Sequence, residues 1–196
     1  MLASITPLGE RGRHSHWALT IAAFAIGALA AAVAAGALLG LAGSLVLSGA
    51  VSSRGRLALL VAAALVALAL DARPRAVPGP RRQVNERWLD EYRGWVYGLG
   101  FGAQLGVGVS TIVTSAATYV GLLAAFLAGD PLRGALIMAC YGAVRGLTPL
   151  ASARVRTPDG LVLLLGRLDR GRGAAARVTT GSLAVVAALA LAGALG

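Results

Sequence analysis

The chain has no lysine, a single cysteine (Cys140) and only two histidines (His14 and His16) in 196 residues. Each shortage removes a class of function. A lone thiol forms no internal disulfide and supplies no two-cysteine redox pair. Both histidines fall on the N-terminal tail, and no cysteine or carboxylate cluster has metal-ligand spacing. All eight acidic residues sit in tails, turns or the ends of apolar runs, so no run carries a carboxylate pair for general acid–base work. Gly98-Leu99-Gly100-Phe101-Gly102 is glycine-rich, but it follows no strand and opens no phosphate loop. Hydrolytic and redox catalysis lack their usual parts, so the chain reads as a non-enzyme without cofactor or metal.

Charge is also scarce. Charged residues make up 13% of the chain, against about 25% in an ordinary soluble domain. All 18 basic residues are arginine and the net charge is +10; arginine without lysine fits GC-rich coding. The arginines lie in short connections between apolar runs rather than on a basic face of a soluble domain. That pattern excludes a nucleic-acid partner and points to orientation in a membrane.

What is abundant is apolar sequence: 57% hydrophobic residues, with a mean hydropathy of +0.75. It comes as five continuous runs, 17–50, 57–70, 95–127, 132–150 and 174–195. Continuous runs mark membrane spans. The expected fold is all-α, a polytopic helical membrane protein of about five transmembrane helices whose first partner is the lipid bilayer. The second run is short but crosses if it borrows 55–71. As single helices, the first and third runs would each measure about 50 Å against a hydrocarbon core of about 30 Å. Each must therefore protrude, kink or break. Neither holds a proline, so Gly36, Gly40 and Gly43 in the first, and Gly98, Gly100, Gly102, Gly106 and Gly108 in the third, are the break points.

A faint two-fold repeat has an offset of about 78 residues, the distance from Trp17 to Trp95. It divides the chain into a tail (1–16), a first repeat (17–71), a basic loop (72–94), a second repeat (95–150), a basic loop (151–173) and a last span (174–196). Val84, Trp88 and Tyr92 in one loop, and Leu161, Leu164, Leu165 and Leu168 in the other, have helical spacing. They predict short helices on the membrane surface, with Asn85 and Asp159 as caps. With five spans, 13 arginines lie on the side of the N-terminus and only three (Arg54, Arg56, Arg133) on the other. The positive-inside rule then places the N-terminus in the cytoplasm of a bacterial plasma membrane. The first run continues well past any cleavage site and reads as an uncleaved anchor.

The third run carries most of the polar groups: Gln104, Ser110, Thr111, Thr114, Ser115, Thr118 and Tyr119. Lipid tolerates them poorly, so they should face protein or water. Spacings of four, three, four and three place Gln104, Gly108, Thr111, Ser115 and Thr118 on one helical face. Such a face offers amide and hydroxyl groups to a polar solute, or packs against a neighbouring helix. Arg145, inside the fourth run, either snorkels to the headgroups, attracts an anionic substrate or pairs with Asp71. The candidate substrate-binding residues are Gln104, Thr111, Ser115, Thr118 and Arg145, with Gln104 foremost. Ladders of glycine at four-residue spacing (Gly98, Gly102, Gly106; Gly36, Gly40; Gly142, Gly146) predict close helix packing, within the chain, in a homo-oligomer or against a membrane partner subunit.

The stretch 98–108, then Gly129-Asp130-Pro131-Leu132-Arg133-Gly134-Ala135, then 140–150 with its Tyr-Gly-x-x-x-Gly-Leu-x-Pro pattern, resembles a half-repeat of the DsbD/CcdA family. These are thiol-electron carriers related to a wider group of small exporters. The resemblance covers about 50 residues and implies a six-span scaffold of two inverted triplets, where five spans are counted here. The family's Pro-Cys pairs are missing and Cys140 sits in none, so no redox residue carries over. The leading reading is a transporter-like membrane protein with a polar intramembrane seam. The alternative is a non-catalytic scaffold or subunit packing through its glycine faces. A thiol relay is the third, and the single cysteine counts against it.

Overall fold

A computed structural model describes residues 5–13, 15–73, 77–80, 87–110 and 113–195. All regular structure among them is helical. In chain order the elements are α1 (Pro7–Gly12), α2 (Trp17–Leu47), α3 (Ser53–Asp71), α4 (Trp88–Glu91), α5 (Gly94–Val107), α6 (Ala117–Leu127), α7 (Pro131–Leu147), a 3-10 turn (Thr148–Ser152) and α8 (Pro158–Leu195). Four stretches are long and apolar enough to cross a membrane: α2, α3, α7 with its 3-10 extension, and α8. A fifth apolar helix, α6, is shorter. Their apolar side chains point mostly outward; only 11% of the most apolar window of α3 is buried. Leu45, Leu65, Val144 and Leu189 are all more than half exposed. So much outward-facing apolar surface suits a lipid surround far better than water.

Helix boundaries follow local chemistry. The Ser52 hydroxyl accepts from Gly55 N at 3.2 Å and caps α3. The Asp130 carboxylate accepts from Arg133 N at 2.8 Å, with Pro131 at the first position of α7, after a turn through Gly129 at φ +58°. Thr157 caps α8 through Gly160 N at 3.2 Å, so the cap is Thr157 rather than Asp159.

The chain divides into two compact units. One comprises Met1–Ala32, Arg82–Thr111 and Tyr141–Gly173; the other comprises Val33–Arg81, Ile112–Cys140 and Ala174–Gly196. The first unit is centred on Ile5, Ile21, Phe24, Tyr97 and Phe101, with Trp17, Trp88, Leu89 and Leu105 packed around them. Here α2 meets α5 backbone to backbone. A Cβ added at Gly98, Gly102 or Gly106 would strike the carbonyl oxygen of Thr20, Phe24 or Ala28, and one at Gly27 would strike that of Leu99. On α7, Gly142 and Gly146 lie against Ala28 and Ala25 of α2. The second unit is centred on Ala64, Ala67, Ala116, Val120 and Leu183, from α3, α6, its approach, and α8. Within it Gly36 meets Gly134, and Gly40 meets the Asp130 carbonyl. The glycine ladders are thus occupied inside the chain, where small residues let helices approach without a hydrophobic drive.

The first and third runs take two of the outcomes their length allowed, and two other expectations change. The third apolar run is not one helix: α5 ends at Val107, the following Gly108 has a φ of +87° that no continuing helix adopts, and α6 begins at Ala117. The first run is an unbroken 31-residue helix, about 46 Å long. The loop expected at 151–173 is helical from Pro158 and continuous with the last span, because no proline or glycine turn interrupts 159–195. The surface helix expected around Trp88 is only the four-residue α4. Trp88 stacks on Phe101 at 6.1 Å between centroids instead of facing lipid headgroups. Val84 and Asn85 lie outside the described residues.

Candidate functional site

The interruption of the third run creates the first polar centre, in the second unit. Asp71 ends α3, and its carboxylate reaches the approach to α6. It accepts from Ser115 Oγ at 2.6 Å and from Ala116 N at 2.8 Å. Ser115 Oγ in turn accepts from Ala117 N at 3.1 Å. A carboxylate at a helix N-terminus satisfies otherwise unpaired N–H groups and complements the helix dipole. Tyr119 donates to the Pro78 carbonyl at 2.6 Å, tying the chain after α3 to the first turn of α6. Thr118 is 8% exposed, and its backbone N–H bonds Ser115 O at 3.3 Å.

The single helical face expected for Gln104, Gly108, Thr111, Ser115 and Thr118 therefore does not form, since α5 stops before Gly108 and residues 113–115 are not helical. Ser115 and Thr118 come together in the second unit. Gln104 belongs to the first, partly buried on α5; its carbonyl accepts from Ser110 Oγ, while its carboxamide has no hydrogen-bond partner among the described residues. Thr111 lies outside the described residues. Arg145 is in the last turn of α7, with its guanidinium 5.3 Å from the Tyr141 ring centroid, and the Tyr141 hydroxyl is buried without a hydrogen-bond partner among the described residues. Arg145 belongs to the first unit, and in the second Asp71 is engaged by Ser115 and Ala116.

A second polar centre, in the first unit, was not expected. The N-terminal segment read as a tail is packed: Ile5, Thr6 and Glu10 are all buried. The Thr6 hydroxyl caps α1 by accepting from Gly9 N at 3.0 Å. Glu10 then turns inward. Its carboxylate accepts from Arg13 Nη2 at 3.0 Å, from Thr20 Oγ1 at 2.9 Å and from the Tyr97 hydroxyl. Burial of Arg13 opposes its charge, but its bonds to Glu10 and Tyr97 outweigh that and raise its pKa above the ordinary arginine value. Ser152 fastens the segment further by donating to the Ile5 carbonyl at 3.3 Å. In the sequence, the only clue was an acidic residue inside an otherwise basic lead-in to the first run.

Beside this centre lies an open cavity of about 760 Å³, lined by residues of α2, α4 and α5 and the turns before them, among them Arg13, His16, Thr20, Glu91, Tyr92 and Arg93. Among the described residues no group of three or more His, Cys, Asp or Glu side chains could hold a metal ion. Cys140 is an exposed free thiol. No protein-family model, curated protein or solved structure matches the chain.

Proposed function

We propose that the chain is a transporter-like integral membrane protein of the bacterial plasma membrane, with a cytoplasmic N-terminus, which passes a small polar solute. Four crossings are the long apolar helices, and the interrupted third run supplies the fifth. One observation carries the reading: an apolar run whose helix α5 ends before Gly108 at φ +87° and whose next helix, α6, starts at Ala117 under the Asp71 carboxylate. Irregular backbone at membrane depth is tolerated where it is buried in protein or lines a water-filled cavity, and carriers place their sites beside such broken helices. Ser115 and Thr118 beside Asp71 are the first candidates for solute contact. Gln104, with its free carboxamide, is the candidate in the other unit, and Thr111 and Arg145 complete the set. The alternative, a scaffold that docks partners through glycine faces, is weakened because those ladders are buried against other helices of the same chain.

The experiment is aqueous accessibility. Cysteines placed singly at Gln104 and Ser115, in a variant with Cys140 replaced by alanine, react with small membrane-impermeant thiol reagents if the seam is wet. Reaction should be slowed by the transported solute. Inertness at both positions would reject the transport reading in favour of the scaffold.

A further inference from the structure

The first unit carries a second, smaller cavity that the transport reading does not use. It measures about 320 Å³ and is lined by Pro7, Arg11, Ser15, His16, Trp17, Ala153 and Arg156. Its chemistry is one-sided. Two arginines, a serine, a histidine and a tryptophan line it, and among the described residues no acidic one does. Glu10, the acidic neighbour in sequence, is turned away into its bonds with Arg13, Thr20 and Tyr97. Among the described residues neither Arg11 nor Arg156 has an ion-pair partner. The Trp17 indole N–H is buried and has no hydrogen-bond partner among the described residues. The larger cavity shares Ser15 and His16 but includes Glu91, so its charge is mixed.

A cavity of this kind supplies donors and lacks acidic acceptors. Unpaired guanidinium groups on two different segments match a tetrahedral oxyanion, since arginine presents a planar fork of N–H groups to phosphate. The start of α2 adds the positive end of a 31-residue helix dipole. The arginines are set by the packed N-terminal segment: Ile5, Thr6 and Glu10 hold α1 in place, and the Ser152–Ile5 bond ties it to the segment that leads to Arg156. We infer that this cavity binds a phosphate group, held by Arg11 and Arg156 with Ser15 and His16 as further donors. The group belongs either to an acidic phospholipid headgroup or to a small soluble phosphate compound. The inference is independent of the transport reading, because none of its residues lies in the proposed seam.

The full-length protein in neutral detergent is titrated with short-chain phosphatidylglycerol in one arm and with inorganic phosphate in the other, using phosphatidylcholine and chloride as controls. Tryptophan fluorescence is followed, since Trp17 lines the cavity. Arg11→Gln/Arg156→Gln should weaken saturable binding at least about tenfold, a change of about 1.4 kcal/mol. The charge-matched Arg167→Gln/Arg170→Gln should bind like the parent. Saturation by phosphatidylglycerol alone assigns the site to a lipid headgroup, and saturation by inorganic phosphate to a soluble ligand; both outcomes support a phosphate site. Absence of saturation in both arms overturns it, and so does equal weakening by the two double variants. If the first double variant does not fold, the parent protein decides. Modification of Arg11 and Arg156 by phenylglyoxal, read by peptide mass spectrometry against Arg167, must be slowed by one of the two titrants; unprotected arginines reject the site.

Discussion

Glu10 is the strictest test of how the first unit holds together. Its side chain is fully buried and accepts from three donors on three parts of the chain: Arg13 after α1, Thr20 on α2 and Tyr97 on α5. Glu10→Ala removes the acceptor from all three and leaves a guanidinium beside an apolar core. Breaking a fully buried ion pair costs about 3–5 kcal/mol. The Arg13 side chain is 26% exposed, so water recovers part of that, and about 2–4 kcal/mol is expected. Glu10→Gln keeps the shape and one acceptor oxygen but loses the charge, and should cost about 1–2 kcal/mol. The assay is unfolding by a denaturing detergent in mixed micelles, followed by tryptophan fluorescence, because Trp17 and Trp88 pack on the same core. A double-mutant cycle with Tyr97→Phe should show a coupling of at least about 0.5 kcal/mol. If Glu10→Ala unfolds within about 0.5 kcal/mol of the parent, as a surface substitution would, the N-terminal segment is not docked and the second polar centre does not exist.

Asp71→Ala should destabilise the start of α6 by about 1–3 kcal/mol, the range for a charged acceptor lost from buried donors, with Asp71→Asn intermediate; hydrogen exchange at Ala116 and Ala117 checks it, and unchanged protection there refutes the cap. Gly108→Ala, at φ +87°, should cost about 1–3 kcal/mol in the same unfolding assay, whereas a continuous helix would gain about 1 kcal/mol from the same change. Gly102→Val places a branched side chain on the Phe24 carbonyl and should separate α2 from α5 at a cost of at least about 1–3 kcal/mol. Gly166→Val meets nothing within 4 Å and should leave stability near that of the parent.

The helical class and most of the spans were legible because continuous apolar runs leave few alternatives, and the capped turn at Gly129-Asp130-Pro131 ended a helix where its residue types say it should. The break in the third run was only half legible. Excess length required a kink, protrusion or break, but five glycines offered places for one, and four of them lie within α5, where Gly98, Gly102 and Gly106 admit a neighbouring helix. The same residue type serves two purposes that composition does not separate, and only Gly108 has the positive φ that ends the helix. Helical spacing then joined Gln104 to Ser115 and Thr118 across that point, which is why one face was expected where the structure has polar groups in two units. The Glu10 centre was illegible for a different reason. Glu10-Arg11-Gly12-Arg13 reads as a solvated tail with a local Glu10–Arg13 ion pair, because the groups that meet Glu10 inside the fold are Thr20 and Tyr97, the latter 87 residues away. A charge pair three residues apart is ordinarily a surface feature, so local spacing alone does not mark Glu10 as buried. Asp71 is opaque in the sequence in a similar way: a carboxylate at the end of an apolar run looks like a helix terminator, and its partners Ser115 and Ala116 lie 44 and 45 residues on.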